Sequence, residues 1–571
     1  MEKQINIGVP QGSSLGPVLW LIVIDTIFNF CDCIDFTLFP GFDCLDFKLI
    51  AFADDVFVLV GGSIFYHFDA LVTHILTNLS AWAEQNKLEF SREKTQLITF
   101  PKNNKKVARL PCIKLHRNDN SNIKNTRTLK YLGVLLDPGL TWIPHLNETR
   151  DKIQRFNQGI RRVARATWGL SPFILKRIYL QASERIILYA ASVWYRNNTR
   201  MNEKLKSIQR IPLLTITKAY STVSSEAIQI LAGIVPIHLK ILEDIIIKRM
   251  RWGWRTDDLV HVFPECSTQN INFDTPAPLH PSKYRSLPWG YDFPKDQGLE
   301  IFTDGSRMET GNDNIFRTAF AFVVYFNGVK THQVSTRVED NTNIFIAELL
   351  AIKSALQWLQ NNNITEATIY SDSLSSLQAL ADPQPTSDII ETTKLLWRQN
   401  IKLNWVKAHV GIQGNEEADE AAKMAIGLDT VELQGLRTPK QVKSKLRDSI
   451  LIKWAEEWRN CPKGRQTYDL IKTPSTKRLL TNFYLNQFIT GHGVFGVYQK
   501  RFFNKSGICQ YCTEEQTIHH LLFDCARFRA LRGDIFTNKT EHQIFSSNDC
   551  KNIVKEIIRV TLEDLLKINQ V

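Results

Sequence analysis

A chain of 571 residues is longer than one hydrophobic core sustains, so three or four domains are expected. With 43% apolar and 22% charged residues, its composition is that of globular protein and excludes a disordered or fibrous chain. The net charge of +12 and pI near 9.1 suit a polyanionic partner such as nucleic acid.

No membrane partner is expected, because the early apolar run from Val18 to Ile24 falls far short of the roughly 20 residues that span a bilayer. That run also lacks the charged start and cleavage site of a signal peptide. The ten cysteines form no secreted disulfide framework, and the chain reads as soluble and intracellular.

In chain order, residues 1–100 alternate turn signals with apolar runs and read as α/β. Lys48 to Val60 is expected to form two strands joined by a tight Ala53-Asp54-Asp55 turn, followed by a helix over 66–88. Residues 101–255 read as mostly helical and basic. The span 256–297 holds six prolines between Pro264 and Pro294 and reads as a linker. Residues 298–426 follow the order strand, strand, strand, helix, strand, helices, strand, helix, which describes a mixed sheet flanked by helices. Residues 427–571 return to helix, with a Cys/His cluster at 509–525 and a terminal amphipathic segment.

Four acids in 298–426 are hard to explain as ordinary surface. Asp304 and Asp372 are expected where a strand runs into a turn. Glu348 borders the helical stripe Phe345, Leu349, Ile352, Leu356 and Leu359, and Asp419 borders the face Ala418, Ala421, Ala422 and Ala425. Taken singly, each is a turn former or helix cap. Converged over one end of a sheet, they repel one another and imply cations between them. Two magnesium ions about 4 Å apart, for which manganese can substitute, both activate water and stabilise a leaving oxygen in phosphodiester hydrolysis.

His409 lies in a loop with glycines at 411 and 414, and an imidazole there can shuttle protons. Cys509, Cys512, His520 and Cys525 have zinc-ligand types and a Cys-x2-Cys turn, and free buried thiols are the competing reading. Whether that cluster grips nucleic acid or only organises the C-terminal helices stays open. His519 is the neighbouring candidate ligand. Arg150, Lys152, Arg155, Arg161, Arg162 and Arg165 form a basic helical segment with one acid, Asp151. It fits either contact with a nucleic-acid backbone or a plain solvated face.

Thr303-Asp304-Gly305-Ser306, Ala347-Glu348-Leu349, Ser371-Asp372-Ser373 and Trp405 to His409 with Asn415 to Asp419 resemble, in order and density, the ribonuclease H family. The resemblance implies that Asp304, Glu348, Asp372 and Asp419 hold magnesium and that His409 joins them in cutting the RNA strand of an RNA–DNA hybrid. It also implies substrate contacts from Ser306, Ser373 and Asn415. Separately, the cluster at 509–525 resembles a retroviral zinc knuckle with a longer, seven-residue gap, and the four-residue gap to Cys525 favours His520 over His519 as the ligand.

Upstream, Phe52-Ala53-Asp54-Asp55, the segment Gly8 to Pro17 with Gln11 and Gly12, Ser91 to Thr95, and Leu129 to Val134 resemble reverse transcriptases of non-LTR retrotransposons of the jockey and I-element type. That resemblance implies a partial polymerase palm at 1–100 and a helical thumb and connection over 101–255. The family's further metal-binding Asp and its fingers precede the Gly8 segment, so no polymerase activity is expected from this chain alone. Three functions follow: a hybrid-cutting nuclease, a non-catalytic nucleic-acid-binding remnant, or part of a polymerase. A nuclear role is implied by mobile-element integration only.

Overall fold

The computed structural model describes residues 12–32, 38–39, 47–61, 65–101, 113–115, 122–165, 168–252, 281–310, 315–433, 439–477 and 483–568, and it divides into two compact units, 1–155 and 156–571. Gln11 and the segment start at Gly8 lie outside the described residues. Among the described residues, no helix is long and apolar enough to cross a membrane.

In the first unit, helices α1 (Gly16–Asp32) and α2 (Phe65–Gln85) bury Ile24, Ile27, Leu71, Ile75 and Trp82 against a hairpin of β1 (Phe47–Phe52) and β2 (Asp55–Val60). Phe47, Leu49 and Ala51 of β1 and Val56, Val58 and Val60 of β2 face that core, the period-two pattern of a strand with one covered face. Phe52 pairs with Asp55, so the turn is Ala53-Asp54 alone and Asp55 already belongs to β2. The Trp20 indole N–H donates to the Ala53 carbonyl at 2.8 Å and pins that turn. A second hairpin, β3 (Leu129–Tyr131) and β4 (Val134–Leu136), turns through Leu132 and Gly133, both with positive φ, as the tightest hairpins require. Helix α3 (Ile143–Arg162) follows and carries most of the basic segment.

The second unit holds helices α4 (Thr199–Thr217), α5 (Ser225–Ala232) and α6 (Ile237–Arg251), then a six-stranded mixed sheet. Its strands are β5 (Trp289–Gly290), β6 (Leu299–Thr310), β7 (Ile315–Phe326), β8 (Val329–Val338), β9 (Ala367–Ser371) and β10 (Ile401–Trp405). The spatial order is β8-β7-β6-β9-β10-β5; the first three are antiparallel and β6, β9, β10 and β5 are parallel.

Alternation along β6 and β7 explains how both faces are covered. Ile301, Phe320, Phe322 and Val324 face helix α7 (Ile344–Asn361). Phe302, Ala319, Ala321 and Val323 face helix α10 (Gln413–Ile426). Ala418, Ala421, Ala422 and Ala425 let α10 lie close on the sheet. Two shorter helices, α8 (Leu374–Ala381) and α9 (Asp388–Leu396), connect β9 to β10.

Two expectations change here. Residues 256–280 of the proline-rich span lie outside the described residues, but Leu287 is in the sheet's core and Trp289–Gly290 form its edge strand. A two-residue strand has no period to read. Asp304 also does not end a strand: β6 runs on to Thr310, with Asp304 opposite Ala321.

Beyond the sheet come α11 (Pro439–Asn460), α12 (Phe483–Thr490), α13 (Gly496–Phe503) and α14 (Asn548–Ile568). The first three of these and the turn before α13 pack on the segments that precede the sheet, and α14 packs on α12. Asn486 donates its side-chain amide to the Thr217 carbonyl, and Arg447 lies 3.6 Å from Glu243. The Thr222 hydroxyl meets His492 Nδ1 at 2.9 Å and the Tyr498 hydroxyl at 2.8 Å. The mixed sheet is thus inserted between two segments of one helical body.

Candidate active site

Strand register builds the site. Thr303 of β6 pairs in parallel with Ser371 of β9, so the next residues, Asp304 and Asp372, stand side by side. Helix α7, capped by Asn343 accepting from the Phe345 N–H at 3.1 Å, then brings Glu348 over β6. Gly305 is what permits the approach: a Cβ there would sit 2.8 Å from the Glu348 nitrogen and 3.0 Å from the Ala347 carbonyl carbon. Glu348 is 9% exposed and buried with Ile346, Ala347 and Leu350. Leu349, Ile352, Leu356 and Leu359 are buried in the same core with Phe345 half-buried against it, so the buried face is wider than the expected stripe.

One oxygen each from Asp304, Glu348 and Asp372 lies within 4.8 Å of the others. Asp304 Oδ2 and Glu348 Oε2 are buried with no hydrogen-bond partner. Burial, then the negative charges of Asp372 and Asp419, push the Asp304 carboxyl up to about 8, against the opposing pull of Lys423 and the Gly305 N–H. Glu348 is raised well above the carboxylate range by burial and by Asp304 and Asp372. Asp372 is raised by burial and restrained by its hydrogen bond from Asn415. Such a group must hold either protons or a cation. The unpaired oxygens and the all-carboxylate donor set fit a hard divalent ion.

Asp419 stands apart from this trio. Its carboxylate holds the Lys423 ammonium at 2.6 Å, one helical turn on, and influences the trio through its charge. Their i,i+4 spacing is the signal of this pair in the sequence.

Asn415, expected as a substrate contact, is 2% exposed and donates Nδ2 to Asp372 Oδ2 at 3.3 Å. Gly414 makes this possible by lying on the Phe302 ring, where a Cβ would come within 2.2 Å. Ser306 is buried, and the Ser373 hydroxyl contacts that of Ser376 at 2.8 Å. His409 is exposed in the loop before α10, with φ of 54°, and its charge reaches Asp372.

The cysteine cluster also assembles. Ligand atoms of Cys509, Cys512, His520 and Cys525 all lie within 4.8 Å of one another. The Cys525 sulfur is 3.8 Å from each of the other two. A tetrahedral ion with metal–sulfur bonds of about 2.3 Å sets its sulfurs about 3.8 Å apart. His520 Nε2 is buried without a partner, whereas the His519 side chain is 67% exposed and pairs with Asp524. Asp54 and Asp55 sit exposed at the β1–β2 turn, and Gly12 is described with φ of 87°.

The close approach at Gly305 gives a direct test. Gly305→Ala is expected to cost about 1–3 kcal/mol by overpacking α7 against β6, and to weaken divalent-ion binding by parting Asp304 from Glu348. Chemical denaturation and calorimetric titration measure both; unchanged stability would refute the contact.

Residues 296–427 match the family model described as RNase H, and residues 2–136 match reverse transcriptase (RNA-dependent DNA polymerase). The putative 115 kDa protein in type-1 retrotransposable element R1DM of Drosophila melanogaster is 27% identical over 241 residues, 42% of this chain and 22% of that protein. The retrovirus-related Pol polyprotein from type-1 retrotransposable element R1 of Nasonia vitripennis is 24% identical over 250 residues, 43% of this chain and 70% of that protein. The chain thus spans about a fifth of the first relative's length. Among solved structures, RNase H1 from the archaeon Halobacterium salinarum NRC-1 is similar at 19% identity, over 23% of this chain and 97% of that one, with a TM-score of 0.19.

Proposed function

We propose, from the premise that this chain carries a reverse transcriptase segment followed by a ribonuclease H domain, that it is a metal-dependent endonuclease cutting the RNA strand of RNA–DNA hybrids. The observation that carries this is the convergence of Asp304, Glu348 and Asp372, with two buried oxygens lacking any donor. In this reading the three acids hold divalent cations, magnesium by ligand chemistry with manganese as substitute, and Asp419 completes the set once it leaves Lys423. Bound cations would supply an activated water and neutralise charge at the phosphate.

The chain's own groups do the rest. Asn415 holds Asp372 in orientation, and the Lys423 ammonium balances charge at Asp419. His409, on an exposed loop with Gly411 two residues on, carries a proton to or from the reacting oxygens. Ser373, half-buried beside Asp372, contacts the hybrid, whereas Ser306 is buried on β6. Along α3, Arg150, Arg155, Arg161 and Arg162 are exposed toward a nucleic-acid backbone, with Arg165 just beyond its end. Lys152 is engaged by Glu148 at 3.1 Å.

We also read Cys509, Cys512, His520 and Cys525 as a structural zinc site. Burial and the neighbouring sulfurs push the Cys525 thiol up to about 12, so a cation is needed to hold thiolates there.

A hybrid with a labelled RNA strand tests the nuclease. Purified chain with magnesium should cut the RNA of the hybrid, leave single-stranded RNA and the DNA strand whole, and stop on chelation. Intact hybrid in both magnesium and manganese would overturn the reading and favour a non-catalytic binding remnant. The hairpin bearing Asp54 and Asp55 supports a second reading, part of an RNA-directed DNA polymerase, which primer extension on an RNA template checks.

A further inference from the structure

Two adjacent histidines enter the cysteine cluster, and each has a carboxylate at its Nδ1. His519 meets Asp524 at 3.1 Å and His520 meets Glu514 at 3.0 Å. They differ at the other ring nitrogen. His520 is 3% exposed, its Nε2 is buried and unpartnered, and one nitrogen of its ring lies within 4.8 Å of the three sulfurs, whereas the His519 side chain is 67% exposed.

An imidazole that ligates a metal through one nitrogen must carry its proton on the other, and an acceptor there selects the tautomer and fixes the ring plane. We propose that Glu514 is the positioning residue of the cysteine–histidine site, its carboxylate accepting the Nδ1–H of His520 so that Nε2 is presented as the fourth ligand. This rests on the zinc reading of the four residues given above.

The local backbone is built for that role. Glu514 follows Thr513, whose positive φ of 58° reverses the chain directly after Cys512. Its carbonyl accepts the Cys509 N–H at 2.7 Å, which closes the Cys-x2-Cys turn. The same residue therefore ties the thiolate turn through its main chain and the imidazole through its side chain. On the other side, the Thr517 hydroxyl accepts the His520 N–H at 3.0 Å and fixes the backbone from which the ring projects. The Glu514 side chain is 67% exposed, so its charge is screened, and its effect lies in the directional hydrogen bond. The neighbouring Glu515 bridges to Ile508 through its backbone and has no described bond to the ring, which makes it the matched control.

The test uses the full chain with zinc, and with cobalt as a spectroscopic replacement. Wild type should take up one ion with the visible bands of a tetrahedral three-sulfur, one-nitrogen site, which binding at the carboxylates cannot produce. Glu514→Ala should weaken zinc affinity by about 10–100-fold in competition with a chelator. Glu514→Gln, whose amide oxygen can still accept from Nδ1–H, should recover most of the loss, and Glu515→Ala should leave affinity unchanged. Ring nitrogen shifts should show Nδ1 protonated in wild type and mixed ligation in Glu514→Ala. Equal affinity in wild type and Glu514→Ala would overturn the positioning role while leaving the zinc site standing. So would tighter binding, which would mark the pair as one that competes with metal. Absence of the cobalt bands in wild type would overturn both.

Discussion

Replacing Asp304 with asparagine is expected to lower hybrid cleavage on the order of 10³-fold, the upper range for loss of one preorganised electrostatic group, while raising the stability of the metal-free chain. The two effects have one origin. Asp304 is buried, its Oδ2 has no donor, and Asp372 and Asp419 both act against its ionisation. An uncharged isostere removes that repulsion and with it the means of holding a cation. Activity assays and denaturant midpoints with chelator present measure the pair. A buried acid that only braced the fold would behave oppositely, losing stability on substitution. Retained cleavage, or a variant less stable than wild type without metal, would remove Asp304 from the centre of the site.

The same reasoning ranks the other acids. Glu348→Gln and Asp372→Asn should resemble Asp304→Asn, since all three share one cluster. Asp419→Asn should cost less activity, because its carboxylate lies outside the trio and is already balanced by Lys423.

Much of this was legible in the sequence, and what was not has physical reasons. The order of strands and helices over 298–426 follows from periodicity, because β7 and α10 each present long, regular faces. The four acids can be named from short ordered motifs that place them at strand ends or beside packing faces, and the Cys/His set from zinc-ligand types around a Cys-x2-Cys turn. Asp-Gly-Ser carries the chemistry of a turn and so points to a strand end at Asp304. In the fold, Gly305 serves instead as the gap through which α7 reaches the sheet. That role depends on a partner 43 residues away, Glu348, and no local pattern encodes it. Asn415 likewise reads in the sequence as a polar loop residue, and its burial against Asp372 depends on the packing of α10 on the sheet. Glu514 carries no signal in the sequence, because a lone acid in a polar turn is ordinary until the fold sets His520 beside it.

The metal-free chain should become less stable as pH rises from about 4 to about 8, and divalent ions should reverse that trend. The Asp304 carboxyl lies at about 8 in the fold against its ordinary value of 3.8, and Glu348 and Asp372 are displaced the same way. Between those limits the folded chain binds more protons than the unfolded one. The stability these groups contribute is therefore complete below the ordinary carboxylate range and is lost as pH climbs through the raised values. One fully displaced group contributes a slope of roughly 1.4 kcal/mol per pH unit. Other residues titrate in this window, so the informative quantity is the difference between wild type and Asp304→Asn, measured by denaturation at several pH values with chelator. The variant should show the shallower decline. Saturating magnesium binds the deprotonated carboxylates, so it should flatten or invert the wild-type slope, and its affinity should increase with pH across the same range. Parallel pH profiles for the two proteins without metal would mean that Asp304 ionises as an ordinary carboxylate, and the charge-frustrated cluster would have to be abandoned.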